Sequence, residues 1–331
     1  MKELIRKFVE AYGPSGYEDR TRAVIQDEIE KYADGVSVDV LGNLIALKKG
    51  DGTGKKIMIA GHMDEIGVIV LSIDDNGFLR FSNVGGLHPA VVLGQRVIFE
   101  NGTVGVIGSE RVDDPKDLKL DKLFIDIGAK NRQEAEAKVS VGDMAGFHVP
   151  MVDLGSRLVS KGMDDRIGCA VMALAMQRMG RTPNDCYFVF TVQEEVGLRG
   201  ARTSAFAVGP DLGISLDVTR TGDTPKSITM AVGLGKGAAI KVKDSSIVAH
   251  PKVKNLMAET ARKHNIPYQF EVLEGGGTDS GAIHMTREGV PSGVISIPTR
   301  YIHSQCEMVD LGDIEACVNL LVKILEGPVN L

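Results

Sequence analysis

Residues 187–192 (YFVFTV) form the stretch that most constrains how this chain can fold. A run of aromatic and β-branched residues is typical of a strand buried on both faces of a sheet. Two adjacent acids, Glu194 and Glu195, follow where that strand is predicted to end. Like charges at the edge of an apolar core repel, so the pair indicates bound cations or a proton-transfer role. The alternative is an ordinary acidic turn that leads into a helix.

Length, charge and cysteine content restrict the class of protein. The chain has 331 residues, which suggests about two domains. A net charge of -6 argues against nucleic-acid or anionic-membrane partners, because both require basic surfaces. No apolar run approaches the roughly 20 residues that span a bilayer, and charges interrupt the N-terminal segment where a signal peptide would be apolar. The four cysteines lack CxxC spacing, so free thiols and a cytoplasmic location are predicted.

The pattern of a buried strand followed by polar residues recurs along the chain. A strand is predicted over 56–60, and His62 and Asp64 follow it. A shorter strand, over 212–216, is predicted to end at Asp217. Strands that alternate with helices predict an α/β domain. The predicted helices cover residues 2–12, 18–32, 167–179, 252–264 and 311–325.

Between residues 68 and 151 the sequence changes to short strands separated by tight turns. Asp-Asn-Gly at 75–77 and Asn-Gly at 101–102 are hairpin signals. This segment is predicted to be a small β-barrel domain inserted into the α/β domain. The predicted boundaries are 1–66 with 156–331 for the catalytic α/β domain, and 67–155 for the inserted domain.

Polar residues that follow successive strands can meet, because ligands of open α/β sheets bind at the carboxyl ends of the strands. His62 and Asp64 are two apart, which in an extended chain places both side chains on one face. One can then ligate while the other orients the ring. The candidates are two imidazoles and several carboxylates without sulfur, a ligand set typical of dinuclear hydrolytic sites. They are His62, Asp64, Asp164, Glu195, Asp217 and His303.

Charge balance separates the two adjacent glutamates. Two divalent cations would carry four positive charges, and Asp164, Glu195 and Asp217 would return three, so a bound hydroxide would complete neutrality. Glu194 then need not ligate. Consecutive side chains at a strand end face different directions, so Glu195 can face a metal ion while Glu194 faces the water as general base. These groups suit attack on an amide carbonyl.

Five motifs give the chain a resemblance to a known family. They are GPSGYE at 13–18, GHMDE at 61–65, MDDR at 163–166, QEEVG at 193–197 and YIHS at 301–304. With them the chain resembles, from end to end, the TET-type dinuclear-metal aminopeptidases. That family contains glutamyl, leucyl and deblocking aminopeptidases, and some members carry the name cellulase M or endoglucanase. The resemblance implies a three-layer α/β/α domain with a mixed sheet, of the zinc-peptidase type, and an inserted β-barrel that dimerises.

The resemblance also implies a role for each candidate residue. The implied ligands are His62, Asp164 and Asp217 for one metal ion, and Asp164, Glu195 and His303 for the other. Asp164 would therefore bridge the two ions, and it is preferred to Asp165 because the family places the bridging carboxylate first. Glu194 is the implied general base, and Asp64 is the implied support of the His62 ring.

The predicted function is a metal-dependent aminopeptidase that removes N-terminal residues from short peptides by attack of a bridging hydroxide. Two zinc or cobalt ions per subunit are expected, and manganese also suits nitrogen and oxygen ligands. Family members usually assemble into a hollow tetrahedral particle of twelve subunits, so a dodecamer built from dimers is implied. The substrate pocket is expected to come from loops 275–281 and 298–301.

Other functions could use parts of the same residue set. A carboxypeptidase or small-molecule deacylase would need a cation for the substrate carboxylate, and Arg220 or Arg300 could provide it. A glycosidase would use Glu194 and Glu195, but adjacent residues are poorly placed for acids that flank a sugar bond roughly 5 to 10 Å apart. Zero tryptophan and 5% aromatic residues also weaken this alternative. A non-catalytic metal-binding or scaffold protein would not need a base beside a complete ligand set.

Overall fold

Strands and helices alternate in most of the chain, and strands predominate between residues 67 and 153. The computed structural model describes residues 1–329. The strands are β1 (Gly35–Val38), β2 (Leu44–Lys48), β3 (Lys56–His62), β4 (Gly67–Ile73), β5 (Leu79–Val84), β6 (Arg96–Phe99), β7 (Val104–Ser109), β8 (Leu123–Asp126), β9 (Met144–Phe147), β10 (Val152–Asp153), β11 (Arg157–Ser160), β12 (Asp185–Thr191), β13 (Leu212–Thr219), β14 (Ala238–Lys243), β15 (Tyr268–Val272), β16 (Ser292–Arg300) and β17 (Glu307–Asp310).

Helices connect these strands and cover the sheet. They are α1 (Lys2–Glu10), α2 (Asp19–Ile29), α3 (Pro89–Val92), α4 (Arg132–Glu136), α5 (Met163–Arg178), α6 (Arg199–Val208), α7 (Pro251–Lys263), α8 (Asp279–Ile283) and α9 (Leu311–Glu326). Short 3₁₀ turns occupy Glu30–Tyr32, Pro115–Asp117 and Leu120–Lys122. No helix within residues 1–329 is both long enough and apolar enough to cross a membrane.

A mixed sheet forms the centre of the larger part of the molecule. Within the described chain its strands follow the order β1-β2-β12-β3-β13-β16-β17-β11-β10, and β14 branches from β16 and carries β15. β13 is buried along its whole length, because helices cover both faces of the sheet. α1, α5 and α9 pack in the main core on one face, whereas α6 and α8 pack on the other. The predicted three-layer α/β/α class with a mixed sheet is confirmed.

Six strands of the described chain close into a separate barrel, in the order β4-β5-β8-β7-β6-β9. The two predicted hairpins are present, since β4 pairs antiparallel with β5, and β6 with β7. Alternate residues of these strands point inward and form a hydrophobic core distinct from that of the sheet. The predicted β-barrel is therefore confirmed. The domain boundaries at 67–155 and the dimerisation role stay predictions.

The end of β13 differs from the sequence-based expectation, and the start of α5 is irregular. β13 does not end at Asp217 but continues to Thr219, because its last residues pair with Ile297 and Pro298 of β16. α5 is assigned from Met163, but Asp164 (φ -77°, ψ 110°) and Asp165 (φ -113°, ψ 35°) are not helical, so its regular turns begin at Arg166, one residue before the predicted start. The cysteines are free thiols, as predicted, with three buried and one exposed.

Candidate metal centre

Parallel strands bring the candidate residues to one edge of the sheet. β12, β3, β13 and β16 are adjacent and run parallel to one another, so their carboxyl ends lie at the same edge. Thr191, the last residue of β12, lies opposite the last residue of β3. His62 ends β3, Asp164 lies in the first turn of α5, Glu194 and Glu195 follow β12, Asp217 lies in β13, and His303 follows β16.

The carboxylate of Asp164 lies between two imidazoles. Its Oδ1 is 3.1 Å from Nε2 of His62, and its Oδ2 is 3.4 Å from Nε2 of His303. The same His303 nitrogen is 3.4 Å from Oε1 of Glu195. Each oxygen of Asp164 therefore faces a different histidine, as expected of a carboxylate that bridges two cations.

Asp165 belongs to the same cluster, although the sequence favoured only Asp164 as a ligand. One ligand atom each from His62, Asp165 and Asp217 lie within 4.8 Å of one another. One oxygen of Asp165 accepts the N–H of Gly168 at 3.1 Å. The other is buried without a hydrogen-bond partner in residues 1–329. Both adjacent acids thus face the centre, and the choice of Asp164 as the bridging ligand stays a prediction.

Glu194 and Asp64 flank the His62 ring. Oε2 of Glu194 is 3.8 Å from Nε2, whereas the carbonyl oxygen and Oδ1 of Asp64 are 3.1 and 3.5 Å from Nδ1. Nδ1 can donate to Asp64, which leaves Nε2 available to a cation. Asp64 also accepts the N–H of Glu194 at 3.0 Å and that of Glu195 at 3.2 Å. It contacts both the ring and the backbone of the acidic pair, and its supporting role stays a prediction.

Burial and mutual repulsion raise the pKa of most carboxyl groups here. Burial raises the pKa of Glu194 well above its ordinary value; His62 opposes this change, and Asp217 adds to it. Burial and the charge of Asp164 raise the pKa of Asp217. Burial would raise the pKa of Asp164 as well, but His303 and His62 hold it well below its usual range. So many buried acids call for compensating positive charge.

The side chains at the centre fit divalent cations. A buried oxygen of Asp165 lacks a hydrogen-bond partner among the described residues, and the buried Oε1 of Glu195 has only the long 3.4 Å contact with His303, so both are available to an ion. Burial lowers the pKa of His303, but Asp164 and Glu195 outweigh it and raise that pKa to about 11. Nitrogen and carboxylate donors without sulfur suit zinc, cobalt or manganese.

Further buried acids, which the sequence did not single out as site residues, surround the centre. Glu307 accepts the N–H of Asp164 at 3.0 Å and that of His303 at 2.8 Å. Asp279 accepts the hydroxyl of the last residue of β12 at 2.6 Å, and burial raises its pKa to about 6. Glu18 contacts the turn after β12. The available signals were weak: Glu18 lies in a motif, Asp279 ends a glycine-rich loop, and Glu307 closely follows His303 in sequence.

Two cavities of the described chain are lined by residues close in sequence to the centre, and both include Arg220. The larger, of about 610 Å³, is lined by Gly275 and its neighbours, and the smaller, of about 320 Å³, includes Tyr301. Residues of both predicted pocket loops therefore line cavities. Arg300 donates two hydrogen bonds to Asp223, at 3.0 and 2.8 Å, so it is already engaged by a carboxylate.

A mixed sheet with an additional β-barrel, and a buried cluster of imidazoles and carboxylates at the strand ends, fit a metal-dependent hydrolase. The sequence model of the M42 glutamyl aminopeptidase family matches residues 42–320, and the chain belongs to this family. It is 53% identical to an Acetivibrio thermocellus protein whose aminopeptidase name is itself provisional, with 98% of each chain covered. It is also 36% identical to the lysyl aminopeptidase of Pyrococcus furiosus, over 98% of this chain and 96% of that one.

Solved structures show the same fold. Aminopeptidase APDkam598 of Desulfurococcus kamchatkensis has 41% identity and a TM-score of 0.94, with 98% of this chain and 94% of that one covered. The TET1 peptidase of Pyrococcus horikoshii, described as assembling into a tetrahedron or a large octahedral shell, has 34% identity and a TM-score of 0.88 over 98% of each chain. A Thermotoga maritima protein named endoglucanase has 34% identity and a TM-score of 0.82, over 97% and 96% of the two chains.

Proposed function

We propose that this chain is a metal-dependent aminopeptidase that removes N-terminal residues from short peptides at a dinuclear centre. The observation that carries the proposal is the position of Asp164, with one carboxylate oxygen next to His62 and the other next to His303. Glu195 and Asp217 supply the remaining predicted ligands. Two divalent ions held there would lower the pKa of a water molecule and polarise a peptide carbonyl.

Glu194 is the proposed general base. Its carboxylate is 3.8 Å from the His62 ring, beside the ligand cluster and not between the two histidines. Burial gives this carboxyl a raised pKa, so it can accept a proton from water and return it to the leaving amine. Asp64 keeps the His62 ring oriented. The surplus of carboxylates would attract the free α-amine of a peptide, which favours cleavage at the N-terminus.

The proposed metal ions, assembly and cellular compartment follow from the family resemblance. The ions are proposed to be zinc or cobalt, with manganese as an alternative, because the donors are nitrogen and oxygen. A homo-oligomer, assembled as a tetrahedral dodecamer from dimers, is proposed by analogy with the tetrahedral particle of the TET1 peptidase. The cytoplasm is the proposed compartment, and the unpaired cysteines support it.

The two enzymatic alternatives have less support. A carboxypeptidase needs a free cation for the substrate carboxylate, and the pairing of Arg300 with Asp223 leaves Arg220 as the remaining candidate. A glycosidase needs its two acids on opposite sides of a sugar bond. Glu195 is instead paired with His303, and Glu194 lies beside His62.

Replacement of Glu194 by glutamine tests the assigned base. The Glu194→Gln variant should retain two ions per subunit while its kcat falls by about 10²- to 10⁴-fold, because only proton transfer is removed. Glu195→Gln is the matched comparison, since it should lose metal as well as activity. Metal content by elemental analysis and steady-state kinetics measure the two effects. Wild-type kcat in Glu194→Gln would show that the base is wrongly assigned.

A substrate panel tests the class of reaction. Aminoacyl chromogenic substrates should be hydrolysed in the presence of divalent metal and not after treatment with a chelator. Peptides with blocked N-termini and carboxymethylcellulose should not be hydrolysed. Cleavage of blocked peptides would favour the deacylase or carboxypeptidase alternative. Activity only on cellulose, or activity that a chelator does not affect, would contradict the proposed function.

A further inference from the structure

The turn that carries the acidic pair gives its backbone N–H groups to side chains of other segments. After β12 ends, Val192 donates to Oδ1 of Asn43 at 3.0 Å, and Gln193 donates to Oε1 of Glu18 at 3.1 Å. The next two N–H groups, at 194 and 195, go to the two carboxylate oxygens of Asp64. Four successive N–H groups are thus each held by a buried side chain.

This turn needs such support because the chain leaves the sheet here. Gln193 has a φ of 55°, the left-handed conformation that residues other than glycine rarely adopt. Its N–H lies beyond the last paired residue of β12, so the sheet offers it no acceptor. The backbone conformation of Gln193 determines the direction in which the side chain of Glu194 leaves the chain. Whatever fixes Gln193 therefore also fixes the proposed general base.

Glu18 lies in the GPSGYE motif at 13–18, for which the proposed mechanism has no use. Its side chain is only 4% exposed, and its Oε1 also accepts the N–H of Gly16 at 2.7 Å. Glu18 stands at the N-cap of α2, but its carboxylate makes no capping hydrogen bond to that helix. Its carboxylate therefore does not cap the helix. The carboxylate faces the turn at Gln193.

The loop that carries Glu18 is itself firmly seated. Ser15 donates its N–H to the carbonyl of Glu65 at 3.2 Å, and Glu65 donates its N–H to the carbonyl of Gly13 at 3.1 Å. The guanidinium of Arg166 also binds the Gly13 carbonyl, at 3.1 Å. A side chain at position 13 would come within 2.3 Å of Thr21, so glycine is required for this close approach. Such a loop can hold Glu18 at a fixed distance from the turn.

We propose that Glu18 is a positioning residue, which holds Gln193 and thereby aims Glu194 at the reacting water. The proposal rests on the proposed function, because it assumes that Glu194 is the base. Glu18 is a suitable residue for testing this role, because its hydrogen bonds in the described structure go to the backbone and not to a candidate ligand. Asp64 would be a poor test of the same idea, because it also contacts His62.

Hydrogen exchange tests the contact independently of activity. In Glu18→Ala, amide exchange in peptides covering 190–197 should accelerate by about tenfold or more, because the turn loses an anchor while the core remains folded. Glu18→Gln should exchange nearly like the wild type, since its amide oxygen can accept the same two N–H groups. If Glu18→Ala does not fold, Glu18→Asp replaces it, because the shorter side chain keeps the charge but cannot reach both donors. Unchanged exchange at 190–197 in the variant that folds overturns the proposal.

Kinetics then test whether the contact serves catalysis. In Glu18→Ala we expect kcat to fall by about ten- to a hundredfold, because small displacements of reacting groups have effects of this size. KM should stay within about threefold of the wild-type value. Metal content should be unchanged, and Glu18→Gln should recover most of kcat. Glu10→Ala is the control, because Glu10 also accepts a backbone N–H, from Met151 at 2.9 Å, outside the site. An unchanged kcat in Glu18→Ala, or an equal loss in Glu10→Ala, overturns the proposal.

The two proposals can fail separately. If Glu194→Gln keeps wild-type kcat, the assigned base is wrong. The exchange result for Glu18 then still reports whether this side chain holds the turn. If Glu194→Gln loses activity while Glu18→Ala changes neither exchange nor kcat, the proposed function stands and the positioning role of Glu18 is wrong.

Discussion

Replacement of Arg166 by methionine should strongly destabilise the fold, because this guanidinium joins the N-terminal segment to the site. Arg166 is fully buried. It donates to the carbonyl oxygens of Met63 at 3.1 Å, Phe8 at 3.2 Å and Gly13 at 3.1 Å. It also donates to Oε1 of Glu65 at 3.1 Å. Methionine has a similar length but no donor, so the three carbonyl oxygens lose this partner.

The expected magnitude follows from which acceptors lose their partners. Glu65 keeps Lys161, which donates to both of its oxygens at 2.8 Å, so the carboxylate is not left uncompensated. A hydrogen bond from a charged donor contributes about 1.5–3 kcal/mol, but bonds that share one side chain do not add. Each buried carbonyl that loses its donor costs about 1–3 kcal/mol. For three such carbonyls, which do not add fully, we expect the free energy of unfolding to fall by about 3–5 kcal/mol in Arg166→Met.

Urea unfolding at fixed protein concentration, with chelator present, measures this change without contributions from bound metal. Arg111→Met is the control, because Arg111 has a side chain that is 93% exposed and pairs only at 3.7 Å, with Asp113. Its effect should stay within about 0.5 kcal/mol. A loss below about 1 kcal/mol in Arg166→Met, with an unchanged m-value, would refute the reasoning. A triple variant in which Glu65 and Lys161 are also apolar should not recover stability, because the carbonyl groups stay unpaired.

Two further predictions concern the centre itself. The metal-free protein should lose stability as the pH rises from about 5 to about 9. Burial raises the pKa of the carboxyls of Glu194 and Asp217, which favours their protonated forms, and the pKa of His303 is raised from 6.5 to about 11. Both kinds of group stabilise the fold when protonated and lose that contribution as the pH rises. Thermal unfolding with chelator measures this, and a melting temperature that increases over the range would contradict it. Gly168→Ala should weaken metal binding by about 10- to 100-fold, because the new Cβ would lie 2.3 and 2.5 Å from the two oxygens of Asp165. Titration calorimetry measures the affinity; Gly35→Ala, where the space is open, is the control, and an affinity within twofold of the wild type would remove Asp165 from the centre.

The fold was largely predictable because its buried strands are continuous apolar runs. The strand at 187–192 and the hairpins of the barrel depend on local sequence, and they were predicted nearly in place. The burial of residues 164–166 was not predicted, because they are charged and patterns of hydrophobicity assign charged residues to solvent. They are buried because partners distant in sequence, such as Glu65 and His303, compensate them. Periodicity in the sequence carries no information about those partners.

The candidate site was predictable to a similar extent and for a related reason. Imidazoles and acids that follow strands can be found in the sequence, because strand ends determine where they meet. Glu307 and Asp279 could not be assigned, since their role is to accept hydrogen bonds from groups that only the fold brings near. The local conformation after β12 also agrees with the alternative of an ordinary acidic turn, because the acidic pair does lie in a turn that leads into α6. Both interpretations of the acidic pair, an ordinary turn and a functional site, place it in a turn, so the local sequence could not distinguish them.

The buried acids of this centre fall into two groups that differ in what their oxygens contact. Glu18 and Glu307 each accept two backbone N–H groups, and Asp64 accepts two as well as a serine hydroxyl. Glu195 and Asp165 each have a buried oxygen without a hydrogen-bond partner in residues 1–329. The first group fixes the backbone around the site. The second group leaves oxygens for cations. Because burial raises the pKa of acids in both groups, the arrangement costs stability in the absence of metal, and bound ions would offset that cost.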